Sequence, residues 1–438
     1  MIHTDILVIG AGPAGLSAAI TAGAAGANVL VLERSHVPGG QLVKQTHMFF
    51  GSGEQYASYR GFDISDILLG QISGLPNVIL ELNATALAAY DDGIWAAQTV
   101  SGYTKIYPKA VIVATGASEQ KPTEYLYGQN KRIITQLELE EQMKQEATPK
   151  QEQLLSPLSI SSEPRSGDAE ATQRIVMIQC VGRKYCSRVC CNQAIKNALA
   201  LKQQQPETDI TILYRDIRSY GMSELNYRQA RQIGIKFIRY EEDNKPQISI
   251  EEQAAGHLQI KIHDSILNET LTLKADLLVL SSVIQPNQNL ELAQKLKVPL
   301  NQDGFFLEAH VKLRPVDFAT EGIYVCGLAH APKSISESII QGRAAAGRAA
   351  TVIAKNQLQT EGAIANTIAE NCAACGDCTR VCAYNAIEIK DGRAQINEVL
   401  CKGCGTCSAA CRCGALDICG FSDKQILTEI EYLLHEAI

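Results

Sequence analysis

The chain has 438 residues, 46% of them hydrophobic, which allows a full core and roughly two to four domains at about 100–200 residues each. Its net charge of −7 argues against nucleic acid as a partner. No stretch approaches the ~20 apolar residues of a membrane span, and MIHTDILVIG enters a strand without a charged leader, so the expected location is cytoplasmic, with no membrane partner.

The apolar run DILVIG (5–10) predicts a buried parallel strand, the Ala-rich Leu16–Ala25 a helix, and NVLVLE (28–33) a second strand. Between strand and helix stands Gly10-Ala11-Gly12-Pro13-Ala14-Gly15. Its first Gly permits a tight turn, its second a close approach of backbone to a pyrophosphate, and its third close helix–strand packing. The helix N-terminus then offers free N–H groups and its dipole to the phosphates. Glu33 closes the second strand where a carboxylate binds ribose hydroxyls, and Arg34 follows it as a further cofactor-side candidate. The run AVIVATG (110–116) predicts another strand ending in a turn at Ala114-Thr115-Gly116.

Residues 141–172 hold Glu, Gln, Ser, Pro and Gly with scattered apolar residues, and read as a flexible linker or surface excursion. A second α/β unit follows, with strands at 174–180 and 209–216, a helix near 190–203, and further strands at 235–240, 258–263 and 276–281. EGIYVCG (321–327) predicts a late strand, 334–354 a helix, and 423–437 a last amphipathic helix, a candidate docking element. The expected division is 1–140 and 283–358 for one dinucleotide domain, 173–282 for the second, 362–420 for a Cys-rich domain and 421–438 for the terminal helix.

Fifteen cysteines are the outlier. None precedes Cys180, four fall within 180–191, one is Cys326, and ten lie at 372–419. In a cytosolic chain such clusters read as metal ligands or redox groups. Cys372-x2-Cys375-x2-Cys378-x3-Cys382 and Cys401-x2-Cys404-x2-Cys407-x3-Cys411 form the bacterial two-cluster ferredoxin pattern, in which the fourth Cys of each run ligates the other cluster. The expected sets are Cys372/Cys375/Cys378/Cys411 and Cys401/Cys404/Cys407/Cys382, each holding a 4Fe–4S cluster; zinc, with four ligands per site, fits eight cysteines in this spacing less well. Ala383 and Arg412 stand where a proline usually follows the fourth Cys.

The strand at 174–180 is where a second Gly-rich loop would bind NADPH. The chain instead reads Cys180-Val181-Gly182-Arg183-Lys184-Tyr185-Cys186-Ser187-Arg188-Val189-Cys190-Cys191, with one glycine and four thiols. The preferred reading is a third 4Fe–4S cluster on Cys180, Cys186, Cys190 and Cys191; the alternative is buried cysteines or a redox Cys pair.

Ala114-Thr115-Gly116 and Glu321–Gly327 resemble segments of FAD-dependent disulfide reductases, and Pro38-Gly39-Gly40-Gln41 resembles the segment lying against the flavin in thioredoxin reductases. FAD is therefore the expected dinucleotide, with Gly40, Gln41, Gly327, Lys333 and Ser334 as further contacts. Leu328 replaces the usual Asp after the last Gly. The segments 39–52, 178–198, 212–221 and 401–427 resemble the A-type iron–sulfur flavoprotein of heterodisulfide reductase, in a short form without the extra N-terminal domain and inserted ferredoxin of long relatives. That resemblance implies an α/β fold: a thioredoxin-reductase-like two-domain Rossmann flavoprotein with a C-terminal two-cluster ferredoxin domain. It implies Lys196 near the flavin, Glu138 as its acidic counterpart, and His47 (with Lys44) as a third catalytic candidate, a lone histidine being as often structural. It implies an FAD and three 4Fe–4S clusters in an oxidoreductase that passes electrons to B- and C-type subunits and a hydrogenase- or dehydrogenase-linked adaptor, with bifurcation known in the family. A homodimer within a larger complex is expected. The alternatives are a stand-alone NAD(P)H-dependent flavin reductase, a sulfur-oxidising complex subunit, or a non-enzymatic scaffold.

Overall fold

The structure, a computed structural model, describes residues 1–46, 52–90, 93–146, 173–182, 185–250, 257–355, 363–382, 384, 386–398 and 400–436. Its first domain is a sheet in which Val78–Leu82, Val29–Glu33, Ile2–Ile9 and Gly102–Val113 lie parallel in that order. Gly102–Val113 is long enough to serve two neighbours on its far edge. Its first residues pair antiparallel with Trp95–Thr99, and its last pair parallel with the returning strand Ile323–Val325. Ile6, Leu7 and Val8 have no exposure because both faces of the sheet are covered. The helices Pro13–Ala24, Gly61–Ser73 and Ile335–Ile353 pack one face, and residues 293–318 close the other. A parallel strand covered on both sides reads as a continuous apolar run, which is why DILVIG is legible.

The second domain repeats the plan. Lys236–Arg239, Asp209–Tyr214, Arg174–Val181, Leu277–Ser282 and Ile133–Thr135 form an all-parallel sheet. Helices Gln136–Glu146 and Cys190–Gln204 cover one face, and a three-stranded antiparallel sheet covers the other. Two short strands, Ala117–Glu119 and Ile284–Pro286, pair antiparallel where the chain leaves the first domain and where it returns.

Two expectations change here. The first domain's opening part ends at the ribbon near 117–119 rather than at 140, because Ile133–Thr135 is an edge strand of the second sheet and Leu139 and Met143 fill the second core. Residues 141–146, expected in a linker, continue the helix Gln136–Glu146. The rest of that linker lies outside the described residues.

The Cys-rich lobe is two copies of one short unit. Helices Asp377–Val381 and Thr406–Ala410 each start from a glycine in the left-handed region, and the hairpin Ile387–Lys390/Arg393–Ile396 and the pair Ala365–Thr367/Leu416–Ile418 flank them. The helix Asp423–Glu436 leaves Leu427, Ile430, Leu433 and Leu434 exposed. No helix of the described residues is long and apolar enough to cross a membrane.

Candidate redox site

The nucleotide loop is built by the tight junction of strand and helix. Gly10 has φ +108°, and a side chain on it would meet the Ala114 carbonyl at 2.4 Å. A Cβ on Gly15 would lie 1.9 Å from the Gly10 carbonyl, so these two glycines are required by the protein itself. Gly12 is different: a Cβ there meets nothing within 4 Å. The space it leaves, ahead of a helix opened by Pro13 with Ala14 buried, is an anion cradle without a protein occupant. Glu33 reaches back to the loop, its carboxylate accepting from the Ala11 N–H at 2.7 Å and the Ser35 N–H at 2.9 Å. The Gly39 N–H donates to the Ala11 carbonyl at 2.8 Å, and Gly40 lies close against Gly12 with Gln41 beside it, so this segment rims the same cradle. Ala114 hydrogen-bonds Ile9, Gly116 turns at positive φ, and Thr115 Oγ1 is buried without a protein partner. Arg34 is exposed on the surface beyond Glu33.

On the returning side, Gly327 packs against Ala14, and its N–H donates to Gln341 Oε1 at 2.9 Å. The same Oε1 accepts from Lys333 Nζ at 2.6 Å. Lys333 also contacts His330 Nδ1 at 2.9 Å, whose Nε2 meets Glu308 at 2.7 Å. Burial pushes Lys333 down to about 8. Ser334 is the N-cap of the helix Ile335–Ile353, exchanging hydrogen bonds with Glu337, so its hydroxyl and N–H are used locally. His330, Glu308 and Gln341 were not legible as site residues; only their convergence on Lys333 marks them.

The four thiols of 180–191 share one corner of the second domain, at the place where the fold would seat a second dinucleotide. Cys180 and Arg188 are both left-handed, a conformation non-glycine residues adopt at a cost of about 1–3 kcal/mol. Cys190 and Cys191 open the helix Cys190–Gln204 and are both buried. A hydrogen bond with Cys191 holds the Cys190 thiol well above its ordinary range, and the same bond brings Cys191 down to about 7. Burial raises Cys180, against the pull of Arg215. Arg215 hydrogen-bonds Cys180, and Arg218 faces Cys186 and Cys191. Guanidinium charges around four thiols suit a group that carries net negative charge. The loop also leans on the first domain. Tyr185 donates to the Ile284 carbonyl at 2.6 Å, Ser187 accepts from the Ile284 N–H at 2.8 Å, and Arg188 pairs with Glu337 at 2.7 Å. It therefore touches the N-terminus of the helix that carries the Lys333 cluster. Arg183 and Lys184 lie outside the described residues.

Lys196 lies on the same helix, almost fully buried, and pairs with Glu140, which is fully buried. Glu140 Oε2 in turn accepts from Thr46 Oγ1 at 2.7 Å and from the Thr46 N–H at 3.3 Å. This polar chain crosses from the Cys-loop helix to the first domain's QLVKQT segment. Burial pushes Lys196 well below its ordinary range, and the carboxylate beside it is the group that offsets the loss. Glu138, expected as the partner, is elsewhere. It accepts from Lys121 at 2.7 Å, Tyr127 at 2.6 Å and the Thr135 N–H at 2.9 Å on a half-exposed face. Burial raises its carboxyl, and these donors outweigh that and hold it low. The acid facing Lys196 is thus Glu140, two residues further on. His47 lies outside the described residues, next to Thr46.

In the C-terminal lobe the sequence's two ligand sets converge. Cys372, Cys375, Cys378 and Cys411 line one pocket; Cys382, Cys401, Cys404 and Cys407 line another. Each pocket draws three cysteines from one run and one from the other, and Cys413 also lines the first. Backbone N–H groups point at the sulfurs: Ala394 to Cys372 and Ala386 to Cys382 at 3.3 Å, Ala365 to Cys401 and Ala415 to Cys411 at 3.2 Å. Donors of this kind favour thiolate, and the bond from Ala394 lowers Cys372. Among the described residues no three His, Cys, Asp or Glu side chains converge on a single-ion site.

Comparison with known proteins agrees with this geometry. The family described as pyridine nucleotide-disulphide oxidoreductase matches residues 4–176. Solved structures share the fold: thioredoxin reductase from T. acidophilum superposes with a TM-score of 0.55 at 15% identity, covering 81% of this chain and all of that one. The Lactococcus lactis thioredoxin reductase gives 0.54 at 19%, covering 80% and 99%. The A-type iron-sulfur subunit of the CoB–CoM heterodisulfide reductase of Methanocaldococcus jannaschii is 38% identical over 272 residues, 59% of this chain and 39% of its own length. Over that stretch the chain is similar to the A-type subunits of heterodisulfide reductases. The A-type subunit of the H2:CoB–CoM heterodisulfide, ferredoxin reductase of Methanothermobacter marburgensis is also 38% identical, over 268 residues, 58% of this chain and 38% of that one. The chain spans about two fifths of the length of these relatives. Its core is thioredoxin-reductase-like, an α/β flavoprotein-type scaffold, and the lobe after it carries the ferredoxin cysteine pattern.

Proposed function

We propose that the chain is an FAD- and 4Fe–4S-containing oxidoreductase subunit that passes electrons between flavin and clusters to partner proteins. The observation that carries this reading is the thiol-lined corner of the second domain: four cysteines and their arginines occupy the loop where NADPH would bind, and Arg188 ties that loop to the flavin-side helix. FAD would be held by Gly10, Gly12, Pro13, Ala14 and Gly15 at the pyrophosphate and Glu33 at the ribose. Gly40, Gln41, Thr115 and Gly327 would contact the rest. When bound it supplies the exchange of electron pairs that single-electron clusters cannot perform. Lys196 and Glu140 pair in the buried seam between the domains, and Lys333 presents a second amine whose charge is easily lost.

Cys180, Cys186, Cys190 and Cys191 would hold one cluster and the two cages of the C-terminal lobe two more, three in all. The partners are of the B- and C-type of heterodisulfide reductase, with a hydrogenase- or dehydrogenase-linked adaptor; splitting an electron pair between two acceptors is the finer form of the proposal. A homodimer inside a larger cytoplasmic complex completes it. Anaerobic purification should yield flavin, iron and sulfide together with such partners. Rapid flavin bleaching on stopped-flow mixing with NADH or NADPH would instead favour the stand-alone reductase reading, which the family match to pyridine nucleotide-disulphide oxidoreductases keeps in play.

A further inference from the structure

The first cage of the C-terminal lobe contains a fifth thiol. Cys413 lines the same pocket as Cys372, Cys375, Cys378 and Cys411. Its place there follows from the internal symmetry of the lobe. The two Cys runs are offset by 29 positions (401 − 372), so Cys411 corresponds to Cys382 and Cys413 to Tyr384. Tyr384 lines the second cage and is influenced by Cys382 and Cys404, so the position two residues after the crossing cysteine faces a cage in both halves. One half places a phenol there, the other a thiol.

The local chain is built to let that thiol move. Cys411 ends the helix Thr406–Ala410 in an extended conformation, and Gly414, at φ +60°, turns the chain back with its N–H on the Cys411 carbonyl at 3.2 Å. Arg412 stands where a proline would fix φ, so the Cys-Arg-Cys-Gly turn keeps its freedom to rotate. Two residues of chain span at most about 7 Å, within the reach of two side chains that serve one metal corner. Cys413 itself is exposed, which leaves it unliganded while Cys411 is in place.

We infer that Cys413 is a reserve ligand for the cluster held by Cys372, Cys375, Cys378 and Cys411, and can replace Cys411 on the same iron. The exchange is not a redox step. The Cys411 thiolate leaves the iron and takes up a proton, and the Cys413 thiol gives up its proton and forms the new iron–sulfur bond. The inference rests on the reading of the cage as a cluster site.

The test uses the full chain, purified anaerobically. Cys411→Ser should keep wild-type iron and sulfide, as should Cys413→Ser. Cys411→Ser/Cys413→Ser should lose one cluster's share of iron, and so should Cys382→Ser, whose half has Tyr384 in place of a spare thiol. Iodoacetamide labelling read by mass spectrometry supplies an independent measure: Cys413 is alkylated in the wild type and protected in Cys411→Ser. Cluster loss in Cys411→Ser equal to that in Cys382→Ser, or Cys413 labelling unchanged by the substitution, would overturn the exchange while leaving the cages intact. Wild-type protein without iron in this lobe would remove the cluster reading and the inference together.

Discussion

Glu138 and Glu140 stand two places apart on one helix and point to different sides, as residues i and i+2 must. That difference is measurable. Glu140→Gln leaves the buried Lys196 charge uncompensated and should destabilise by about 3–5 kcal/mol, whereas Glu138→Gln, in a half-exposed pair, should cost about 1 kcal/mol or less. Equal urea midpoints for the two variants would contradict the assignment. The glycine loop gives a second contrast. Gly15→Ala drives a methyl into the Gly10 carbonyl and should prevent folding of the domain, while Gly12→Ala meets no protein atom and should fold but bind FAD at least about tenfold more weakly, roughly 1.4 kcal/mol. Flavin absorbance and thermal melting of Gly12→Ala separate the two effects; full flavin retention would mean the cradle is not used. Lys333 gives a third. Its folded value of about 8 lies below the 10.5 of a free lysine, so between those pH values the unfolded chain binds more protons and stability rises with pH. The increment is fully developed only above about 10.5 and absent below about 8. Lys333→Met should flatten a rise of up to about 3 kcal/mol, read as urea midpoints against pH.

At the scale of elements, the sequence carries the parts that have strong periodicity or spacing. The buried strands Ile2–Ile9 and Arg174–Val181 are continuous apolar runs, and the crossed ligand sets of the C-terminal lobe follow from spacing alone. What it conceals is the domain crossing at 133–146. Ile133–Thr135 is three residues long, and the helix after it, QLELEEQMKQE, is polar on most of its faces, so neither announces a core element. Tertiary packing decides both, through Leu139 and Met143. The polar chain Lys196–Glu140–Thr46 is hidden for the same reason, since its members lie 94 and 56 positions apart (140 − 46 and 196 − 140) and meet only when the two domains close. Arg188 is another link across that seam. Arg188→Ala should leave flavin and iron content unchanged but slow electron equilibration between flavin and the 180–191 thiol group, read by stopped-flow absorbance, and an unaltered rate would show that the Glu337 contact is not needed for alignment.

Across the whole molecule, the lobes differ in what holds them together. Each dinucleotide-type domain has an extensive aliphatic interior of its own. Among its described residues the C-terminal lobe has six buried ones in its cluster of apolar contacts, Ala365, Cys378, Ile387, Ala394, Cys407 and Leu416, and two of these are cage cysteines. Below roughly 70–80 residues a single core rarely supplies more than about 3–5 kcal/mol, and small domains commonly add a metal or disulfides to make up the rest. On the proposed reading, the clusters would supply what this core lacks. With clusters in the cages as proposed, its maturation would follow the delivery of iron and sulfide rather than translation, and a chelator or oxidant that strips the cages should expose the lobe to protease while the two dinucleotide-type domains persist. On that reading a cell short of iron would hold a truncated remnant, so the protein's length would record the metal supply under which it was made.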